Sequence, residues 1–340
     1  MATANSFDTP EAALRAFART GPLRRVDNGL VNRTWAVGAP PEFALQLVHA
    51  RFGDADNARI EAVTRRLRAG GLATPELVRT SDDALSCPGP NGRRWRLLTW
   101  LDGEVHARPS GAAHVRSAAA LLARFHDILA GSPEGAALPP TDFHDTDTHM
   151  RRLATLIDGQ ADDEIAPVAG AILSAWRTWR DTTTLPPRPG HGDPKLPNVI
   201  FRSGDAEALA LIDLDTLAQY GLDDELGDAI RSCCNPGGEN AVDGDIDTGL
   251  FTAFVQGYAH RSETMTTDER GHIAHGVGRI ALELAARFCA DAVECRYFAW
   301  DPAVAPTARD HNLRRARGQL HFSQRVAARR GELERIVAAI

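Results

Sequence analysis

The feature that most constrains this chain is its single lysine, which lies in the run HGDPKLPN at residues 191–198. Every other strongly basic side chain among the 340 residues is an arginine. Within the run, Lys195 stands between Asp193 and Asn198, and an apolar segment carrying Asp213 follows after a short polar stretch. A composition that otherwise uses arginine keeps one compact, flexible ammonium beside an acid and an amide. This placement indicates a chemical role for the loop.

The spacing of these four side chains is typical of enzymes that transfer a phosphoryl group, which mainly position reactants and neutralise charge. We predict that Asp193 accepts a hydrogen bond from the attacking hydroxyl. Lys195 is predicted to bind the γ-phosphate of ATP. Asn198 and Asp213 are predicted to hold Mg²⁺, whose small size favours oxygen ligands. Asp215 fits equally well a second metal contact or the polar end of a strand.

The net charge, apolar segments and cysteines of the chain limit the kinds of protein that it can be. Its net charge of −7 argues against nucleic acid, because a phosphate backbone is bound by basic patches. Residues 1–31 lack the apolar core of a signal peptide, and no segment approaches the roughly 20 apolar residues that span a bilayer. The five cysteines are odd in number and lack metal-ligand spacing, so reduced thiols are expected. We expect a cytoplasmic protein that acts on a small molecule and binds neither nucleic acid nor membrane.

The pattern of predicted elements changes near residue 102. Before it we predict a short helix that starts at Pro10, an amphipathic helix at 57–68, and five strands near 23–26, 34–37, 43–48, 76–80 and 94–101. After it we predict one hairpin at 198–213 and six helices, at 112–129, 165–180, 224–234, 246–260, 266–293 and 312–339. This order favours an α+β protein with two lobes.

Several segments, taken in order, resemble the aminoglycoside phosphotransferase and choline kinase superfamily, and most closely its bacterial N-acetylhexosamine 1-kinases. They extend along most of the chain: residues 29–35 (GLVNRTW), 43–46, 95–98, 143–146, 212–216, 227–231, 287–298 and 311–312. The resemblance implies a bilobal, protein-kinase-like fold. It places an N-lobe at 1–98, with an antiparallel five-stranded sheet and one helix, a hinge at 99–103, and a larger, mainly helical C-lobe at 104–340.

The resemblance also implies a nucleotide site. ATP is expected between the lobes, with its adenine against the backbone from Thr99 to Leu101. The turn that contains Gly29 and Asn32 is expected to close over the phosphates, because glycine permits close backbone approach.

Two positions depart from the usual kinase pattern. Kinases place a lysine on the third strand and pair it with a helix glutamate. Here Gln46 occupies the strand position and Glu61 the helix position, so the missing cation must come from magnesium, from Arg33 or from Lys195. The second departure is Glu225, where the family likeness leads us to expect an aspartate that supports the catalytic loop. His191 is predicted to brace the same loop rather than to act as a base.

The acceptor side is expected on a C-terminal helix. Glu283, Arg287 and Asp291 share one helix face, and spacing alone is compatible with an ion-pair ladder in solvent. The resemblance instead implies that Arg287 and Tyr297 bind a sugar, since arginine donates paired hydrogen bonds to hydroxyls.

Three functions remain open at this stage. The leading one is ATP- and Mg²⁺-dependent phosphorylation of a free sugar of the N-acetylhexosamine type at its anomeric 1-hydroxyl. A kinase of an aminoglycoside or amino-alcohol on the same fold would need acids facing the pocket, which Asp145, Asp147, Glu283 and Asp291 could supply. The third is a nucleotide-binding pseudokinase without turnover.

Overall fold

The structure is a computed structural model that describes residues 7–26, 32–160, 162–180, 183 and 185–340, with only the backbone at 159 and 160. The chain forms two compact units, Met1–Asp102 and Gly103–Ile340, called unit 1 and unit 2 below.

The described residues of unit 1 form an antiparallel sheet with two α-helices. The helices are α1 (Pro10–Ala16) and α2 (Asp54–Ala69). The strands are β1 (Leu23–Val26), β2 (Arg33–Gly38), β3 (Pro41–Val48), β4 (Leu77–Val78), β5 (Cys87–Pro88) and β6 (Arg94–Thr99). The sheet order is β1-β2-β3-β6-β4, and β5 also pairs with β6.

Side chains that alternate along β6 give this sheet two different faces. Trp95 and Leu97 enter an apolar cluster that includes Leu14 of α1. Arg96, the residue between them, lies on the opposite face and donates to Asn57 of α2. The face toward α2 therefore carries buried polar groups, whereas the face toward α1 is apolar.

Unit 2 is mainly helical. Its strands are β7 (Glu104–Val105), β8 (Arg188–Gly190), β9 (Val199–Phe201), β10 (Ala208–Leu211) and β11 (Ala218–Tyr220). Its helices are α3 (Ala112–Leu129), α4 (Pro133–Ala136), α5 (Thr146–Gln160), α6 (Ile165–Trp179), α7 (Leu222–Cys233), α8 (Thr248–Arg261), α9 (Thr267–Glu294) and α10 (Ala308–Ala338). Two small antiparallel sheets, β10-β9-β7 and β11-β8, flank the catalytic loop in sequence.

Helix α9 is the central element of unit 2, and most of its length is buried. It packs against α5, α6, α7 and α10. The predicted capping box starts it: the Glu269 N–H donates to Thr266 Oγ1 at 3.3 Å, and the Thr266 N–H donates to Glu269 Oε2 at 2.8 Å. Because α9 runs through the interior, polar side chains on it can meet buried groups of several neighbouring elements.

The predicted α+β class is confirmed, and all six helices predicted for unit 2 are present with ends shifted by a few residues. Some details differ. Both helices predicted before residue 102 are present, so unit 1 has one helix more than the family likeness implied, and β5 is a sixth strand. Helix α5 was not predicted, although its Met150 and Leu153 are buried. The short strands β7, β8 and β11 were also missed.

Among the described residues, no helix combines the length and the apolar character needed to cross a membrane. All five cysteines are free thiols, as predicted, and only Cys295 is exposed.

The packing of α9 against α6 can be tested at Gly278. A Cβ built at this position overlaps the ring of Trp179. Overpacking of this kind typically costs about 1–3 kcal/mol. Gly278→Ala is therefore expected to lower the free energy of unfolding by about that amount, measured by chemical denaturation.

Gly271 provides the matched control in the same helix, because a Cβ there meets no atom within 4 Å. Gly271→Ala is expected to stabilise the protein by about 0.5–1 kcal/mol, the usual preference of a helix for alanine over glycine. Equal effects of the two substitutions would contradict the close packing described here.

Candidate active site

The catalytic loop is a tight connection between β8 and β9. Gly192 has φ of 82°, a left-handed conformation that favours glycine. A Cβ at Gly192 would also lie 2.6 Å from the carbonyl oxygen of Thr216. After Lys195 the chain makes one 3₁₀ turn, Leu196–Asn198, and enters β9. This geometry brings residues that are two and five positions apart into contact.

Asp193, Lys195 and Asn198 form one hydrogen-bonded group. The ammonium of Lys195 donates to Asp193 Oδ2 at 2.6 Å. The amide of Asn198 donates to the same oxygen at 3.2 Å and to the Asp193 carbonyl at 2.8 Å. Burial alone lowers the pKa of Lys195, but Asp193, Glu239 and Asp213 outweigh it and hold that pKa above its ordinary value. The structure therefore gathers the three predicted loop residues around one fixed positive charge.

Asp213 reaches this group through the β9–β10 hairpin. Leu211 pairs with Val199, and the Ile212 N–H donates to the Asn198 carbonyl at 2.9 Å. Asp213 itself has φ of 64°, in the left-handed region that non-glycine residues rarely adopt and that is often found at functional sites. Its carboxylate is one of the charges that act on Lys195. All four predicted catalytic and metal residues thus lie in one neighbourhood.

The donor set of this neighbourhood fits magnesium. Because Asn198 donates from Nδ2 to Asp193, its Oδ1 is turned the other way and remains an oxygen ligand. Together with the Asp213 carboxylate it offers the few hard oxygen ligands that Mg²⁺ takes from proteins, the rest being water or phosphate. Among the residues that the structure describes, no three His, Cys, Asp or Glu side chains gather in a metal site.

Glu225 braces the catalytic loop from α7. Its Oε2 accepts the His191 N–H at 2.9 Å, and its Oε1 accepts the Gly192 N–H at 2.5 Å. His126 Nε2 lies 3.1 Å from Oε2. Room for this acid exists because position 190 has no side chain: a Cβ at Gly190 would lie 2.7 Å from the Glu225 carboxyl carbon. The longer acid therefore performs the bracing expected of an aspartate.

His191 is a neutral, structural histidine. Its Nε2 lies 3.0 Å from the Ile212 carbonyl, and its Nδ1 accepts the Asp193 N–H at 3.3 Å. These partners assign the ring proton to Nε2. Burial lowers the pKa of His191 and keeps the ring uncharged. The contacts agree with a bracing role.

His144, which the sequence analysis did not assign, holds the loop from the other side. Its Nδ1 lies 2.9 Å from Glu283 Oε1, and its Nε2 lies 2.9 Å from the Gly192 carbonyl. Two acceptors require two ring protons, so His144 is an imidazolium. Burial alone lowers its pKa, but Glu283 outweighs this and raises the pKa of His144 to about 9. Burial alone raises the pKa of Glu283, but His144 outweighs this effect and lowers the pKa of Glu283 to about 2.

Arg287 and Tyr297 meet at one aromatic cluster. The guanidinium of Arg287 lies 4.5 Å from the Phe143 ring centre and 3.5 Å from Glu283 Oε1. It also lies 6.0 Å from the ring of Phe298, against which Tyr297 packs edge-on at 4.7 Å. Only 12% of the Arg287 side chain is exposed, so this is not a ladder in solvent. Through Glu283, Arg287 is linked to the catalytic loop.

The four acids considered for a cationic acceptor are already engaged. Asp145 accepts from the backbone and hydroxyl of Thr148 in the first turn of α5. Asp147 accepts from a tryptophan indole, and Glu283 from His144 and a threonine. Asp291 accepts three backbone N–H groups, from residues 296, 297 and 298, and an asparagine amide. Each of these acids therefore has a structural partner.

Three charged residues beside Lys195 were also missed by the sequence analysis. The negative charge of Glu239 helps to raise the pKa of Lys195, and its carboxylate lies 3.9 Å from Arg231. Arg231 donates to Asp228 Oδ1 through two nitrogens, at 3.1 and 2.7 Å. Arg231 and Asp228 lie in the segment 227–231 that carries the family likeness, which was the one available signal.

The predicted nucleotide residues lie in unit 1. Gly29 lies outside the described residues. The side chain of Asn32 accepts the His49 N–H at 2.9 Å and so fixes the end of β3. The N–H of Thr99 donates to the Glu76 carbonyl at 2.9 Å, within the sheet. Leu101 follows β6 and is half-buried.

The structure does not join Gln46 to Glu61 in the way a strand lysine pairs with a helix acid. Gln46 Nε2 donates to Thr34 Oγ1 at 3.2 Å, and Gln46 Oε1 accepts from Arg96 at 2.8 Å. Both carboxylate oxygens of Glu61 instead accept from Arg79, at 2.7 and 2.9 Å. Arg33, one suggested source of the missing cation, is exposed at the start of β2.

The positive charge of His144 predicts that its contribution to stability depends on pH. Its folded pKa of about 9 lies above the ordinary value of 6.5, so its stabilisation is complete below about pH 6.5 and is lost as the pH rises through 9. The difference in unfolding free energy between the wild type and His144→Gln is expected to shrink between pH 6 and pH 10, measured by denaturant titration.

His149 supplies the matched control. It lies on α5, and burial lowers its pKa. The difference between the wild type and His149→Gln is therefore expected to shrink as the pH falls below about 6.5, the opposite direction. A His144 difference that stays constant or grows with pH would contradict the imidazolium.

Comparison with solved structures confirms the kinase-like fold. A choline/ethanolamine kinase family protein from Mesorhizobium loti is 15% identical, with a TM-score of 0.57 over 94% of each chain. An aminoglycoside phosphotransferase from Alicyclobacillus acidocaldarius is 16% identical, with a TM-score of 0.57 over 98% of each chain. A microcompartment-associated aminopropanol kinase is 15% identical, with a TM-score of 0.62 over 92% of this chain and 94% of its own.

A family model identifies the chain more directly. Residues 22–264, which include the catalytic loop, Asp213 and Glu225, match the model described as the phosphotransferase enzyme family. This match covers well over half of the chain. The chain therefore belongs to the phosphotransferase enzyme family of aminoglycoside phosphotransferase-like kinases.

Proposed function

We propose that the protein transfers the γ-phosphate of ATP, with Mg²⁺, to the anomeric 1-hydroxyl of a free sugar of the N-acetylhexosamine type. The observation that carries the proposal is the grouping of Asp193, Lys195, Asn198 and Asp213 around one loop. In this proposal residues 1–98 bind the nucleotide, 99–103 form the hinge, and 104–340 supply the catalytic loop and the acceptor pocket.

Each residue of the proposed site has a separate role. Asp193 accepts a hydrogen bond from the attacking hydroxyl, orients it, and takes its proton. Lys195, held 2.6 Å from Asp193, provides a compact positive charge for the γ-phosphate beside the attacking oxygen. Glu225 and His144 hold the loop from opposite sides, so these groups are positioned before the substrates arrive.

Two ligands of the chain would hold the magnesium ion. These are Asn198 Oδ1 and the carboxylate of Asp213. When bound there, Mg²⁺ neutralises charge on the phosphate oxygens of the nucleotide. The backbone N–H of Leu101 is the hinge group assigned to adenine, since the Thr99 and Trp100 N–H groups are bonded within unit 1.

The charges around the proposed acceptor pocket favour a neutral acceptor. The acids at 145, 147, 283 and 291 are engaged by structural partners. The imidazolium of His144 and the guanidinium of Arg287 are both positive and both contact Glu283. A cationic amine would have to compete with them for that acid. A sugar instead offers hydroxyl and acetamido oxygens, which arginine recognises, and an apolar ring face, which suits the cluster of Phe143, Phe298 and Tyr297.

The anomeric position also suits the base. One carboxylate oxygen of Asp193 accepts hydrogen bonds from Lys195, at 2.6 Å, and from Asn198, at 3.2 Å. A carboxylate of this kind is a weak base. A hemiacetal hydroxyl is more acidic than an ordinary alcohol, so it needs less help in losing its proton.

Asp193→Asn tests the assignment of the base. The variant is expected to lower kcat by roughly 10²–10⁴-fold, the usual contribution of general base catalysis, with ADP affinity little changed. Asp205→Asn, an exposed acid in the β9–β10 turn, is the control and is expected to keep full activity. Wild-type turnover in Asp193→Asn would show that another group does the chemistry.

The acceptor is tested by product analysis. ADP release is measured with panels of free hexoses, N-acetylhexosamines, amino-alcohols and aminoglycosides, and the product of the best acceptor is examined by phosphorus–proton correlation NMR. We expect phosphate coupled to an anomeric proton. Phosphate on any other oxygen would rule out the 1-kinase, and preference for amines would favour an amino-alcohol or aminoglycoside kinase. Failure to release ADP with every acceptor would favour a pseudokinase.

A further inference from the structure

The connection between α9 and α10 carries Tyr297, which the family likeness assigns to the acceptor, and buried side chains hold its backbone. Residues 296–301 of this connection are called the acceptor loop below. We propose, on the basis of the function proposed above, that Asp291 is a positioning residue for the acceptor loop and thereby sets the affinity for the acceptor. Asp291 lies in the last turn of α9 and is only 2% exposed.

The carboxylate of Asp291 holds the first half of the acceptor loop. Its Oδ1 accepts the N–H groups of Arg296 and Tyr297, at 3.1 and 2.9 Å. Its Oδ2 accepts the Phe298 N–H and the side-chain amide of Asn312, both at 2.9 Å. An ionised carboxylate has only acceptors and so matches four donors, and hydrogen bonds to a charged group are the stronger kind. Three consecutive N–H groups of the loop therefore converge on one buried group.

Helix α10 holds the second half of the acceptor loop. Nδ1 of His311 accepts the Asp301 N–H at 3.1 Å, and Arg315 donates to the Ala299 carbonyl at 3.1 Å. Both side chains are buried, and both also bond to Asn240 Oδ1, at 2.9 and 3.2 Å. Five backbone groups between 296 and 301 are thus bonded to side chains of α9 and α10.

The fixed loop forms one side of the surroundings of Arg287. The ring of Phe298 packs on Phe288 of α9 with ring centres 4.5 Å apart, and it lies 6.0 Å from the Arg287 guanidinium. Phe143 lies 4.5 Å from the same guanidinium. A shift of the loop backbone would therefore move Tyr297 and Phe298 relative to Arg287, the other residue assigned to the sugar.

The catalytic loop has supports of its own. The hydrogen bonds described above for its backbone come from Glu225 on α7 and from His144. Loosening the acceptor loop should therefore weaken acceptor binding while the groups that transfer the phosphate stay in place. In steady-state kinetics this predicts a higher KM for the acceptor, with little change in kcat or in the KM for ATP.

Asp291→Asn tests the inference, with N-acetylglucosamine as the acceptor. The substitution keeps the volume but turns an NH₂ group toward the Phe298 N–H. Asn312 can turn its own amide to keep the contact with α10, because its buried Oδ1 has no hydrogen-bond partner among the described residues. The bond to Phe298 is then the one lost. We expect the KM for the sugar to rise about tenfold or more, the weight of one hydrogen bond to a charged group, with kcat and the KM for ATP within about twofold.

Two controls separate this effect from a change in charge or in stability. Glu294→Gln alters a carboxylate in the same turn of α9, but Glu294 pairs with the side chains of Arg152 and Arg296 rather than with loop backbone. Gly278→Ala destabilises the same helix through its overlap with Trp179. Both variants are expected to keep the KM for the sugar within about twofold of the wild-type value.

His311→Phe provides an independent second test from the other helix. It keeps an aromatic ring but removes the acceptor of the Asp301 N–H. The same selective rise in the KM for N-acetylglucosamine is expected. If thermal unfolding shows that Asp291→Asn does not fold, His311→Phe decides.

The outcomes separate this inference from the proposed function. A KM for the sugar within about twofold of wild type in folded Asp291→Asn would overturn the role of Asp291. So would a fall in kcat without a rise in KM, or an equal rise in Gly278→Ala. Each of these results leaves phosphoryl transfer to the sugar intact. Wild-type protein that phosphorylates neither N-acetylglucosamine nor N-acetylgalactosamine would overturn both proposals together.

Discussion

The buried carboxylate of Glu225 is the interaction on which the rest of the site depends. Its two oxygens accept the N–H groups of His191 and Gly192, so movement of the loop would remove two hydrogen bonds from an acid buried in the interior. His126 adds a further contact from α3. The glutamate is one methylene longer than an aspartate, and it fits only because Gly190 has no side chain.

The loop is held from its carbonyl side as well. His144 donates to the Gly192 carbonyl, so the backbone of Gly192 is hydrogen-bonded through both its N–H and its C=O. Glu283 on the long helix α9 compensates the charge of His144. Because α9 also carries Arg287, one helix determines the position of the loop and of the proposed acceptor-binding arginine. Such fixed positioning is what phosphoryl transfer requires of a protein.

The parts that could be predicted from the sequence are those fixed by local chemistry. The loop at 191–198, the hairpin that follows it and the six helices predicted for unit 2 all depend on short-range spacing, turn residues and caps. Helix α5 carries Met150, Leu153 and Ile157 at helical spacing, a signal that the prediction did not use, and it packs against α9. His144 and Glu239 act through partners that are distant in sequence.

The proposed nucleotide-binding side of unit 1 shows the same limit in another form. Pattern matching placed Glu61 opposite Gln46, because kinases pair a helix acid with that strand position. Whether a helical side chain reaches the sheet depends on the rotation of α2, which spacing does not determine. In the structure Asn57 faces the sheet and Glu61 faces Arg79. Arg96 lies next to Gln46 only through cross-strand register.

The presence of a single lysine has a consequence for the chemistry of the whole chain. Reagents that acylate amines require the neutral amine, and the ion pair with Asp193 keeps Lys195 protonated. Ordinary labelling conditions should therefore largely spare this side chain. The rate of acylation at this one amine becomes an intrinsic reporter of whether the catalytic ion pair is intact.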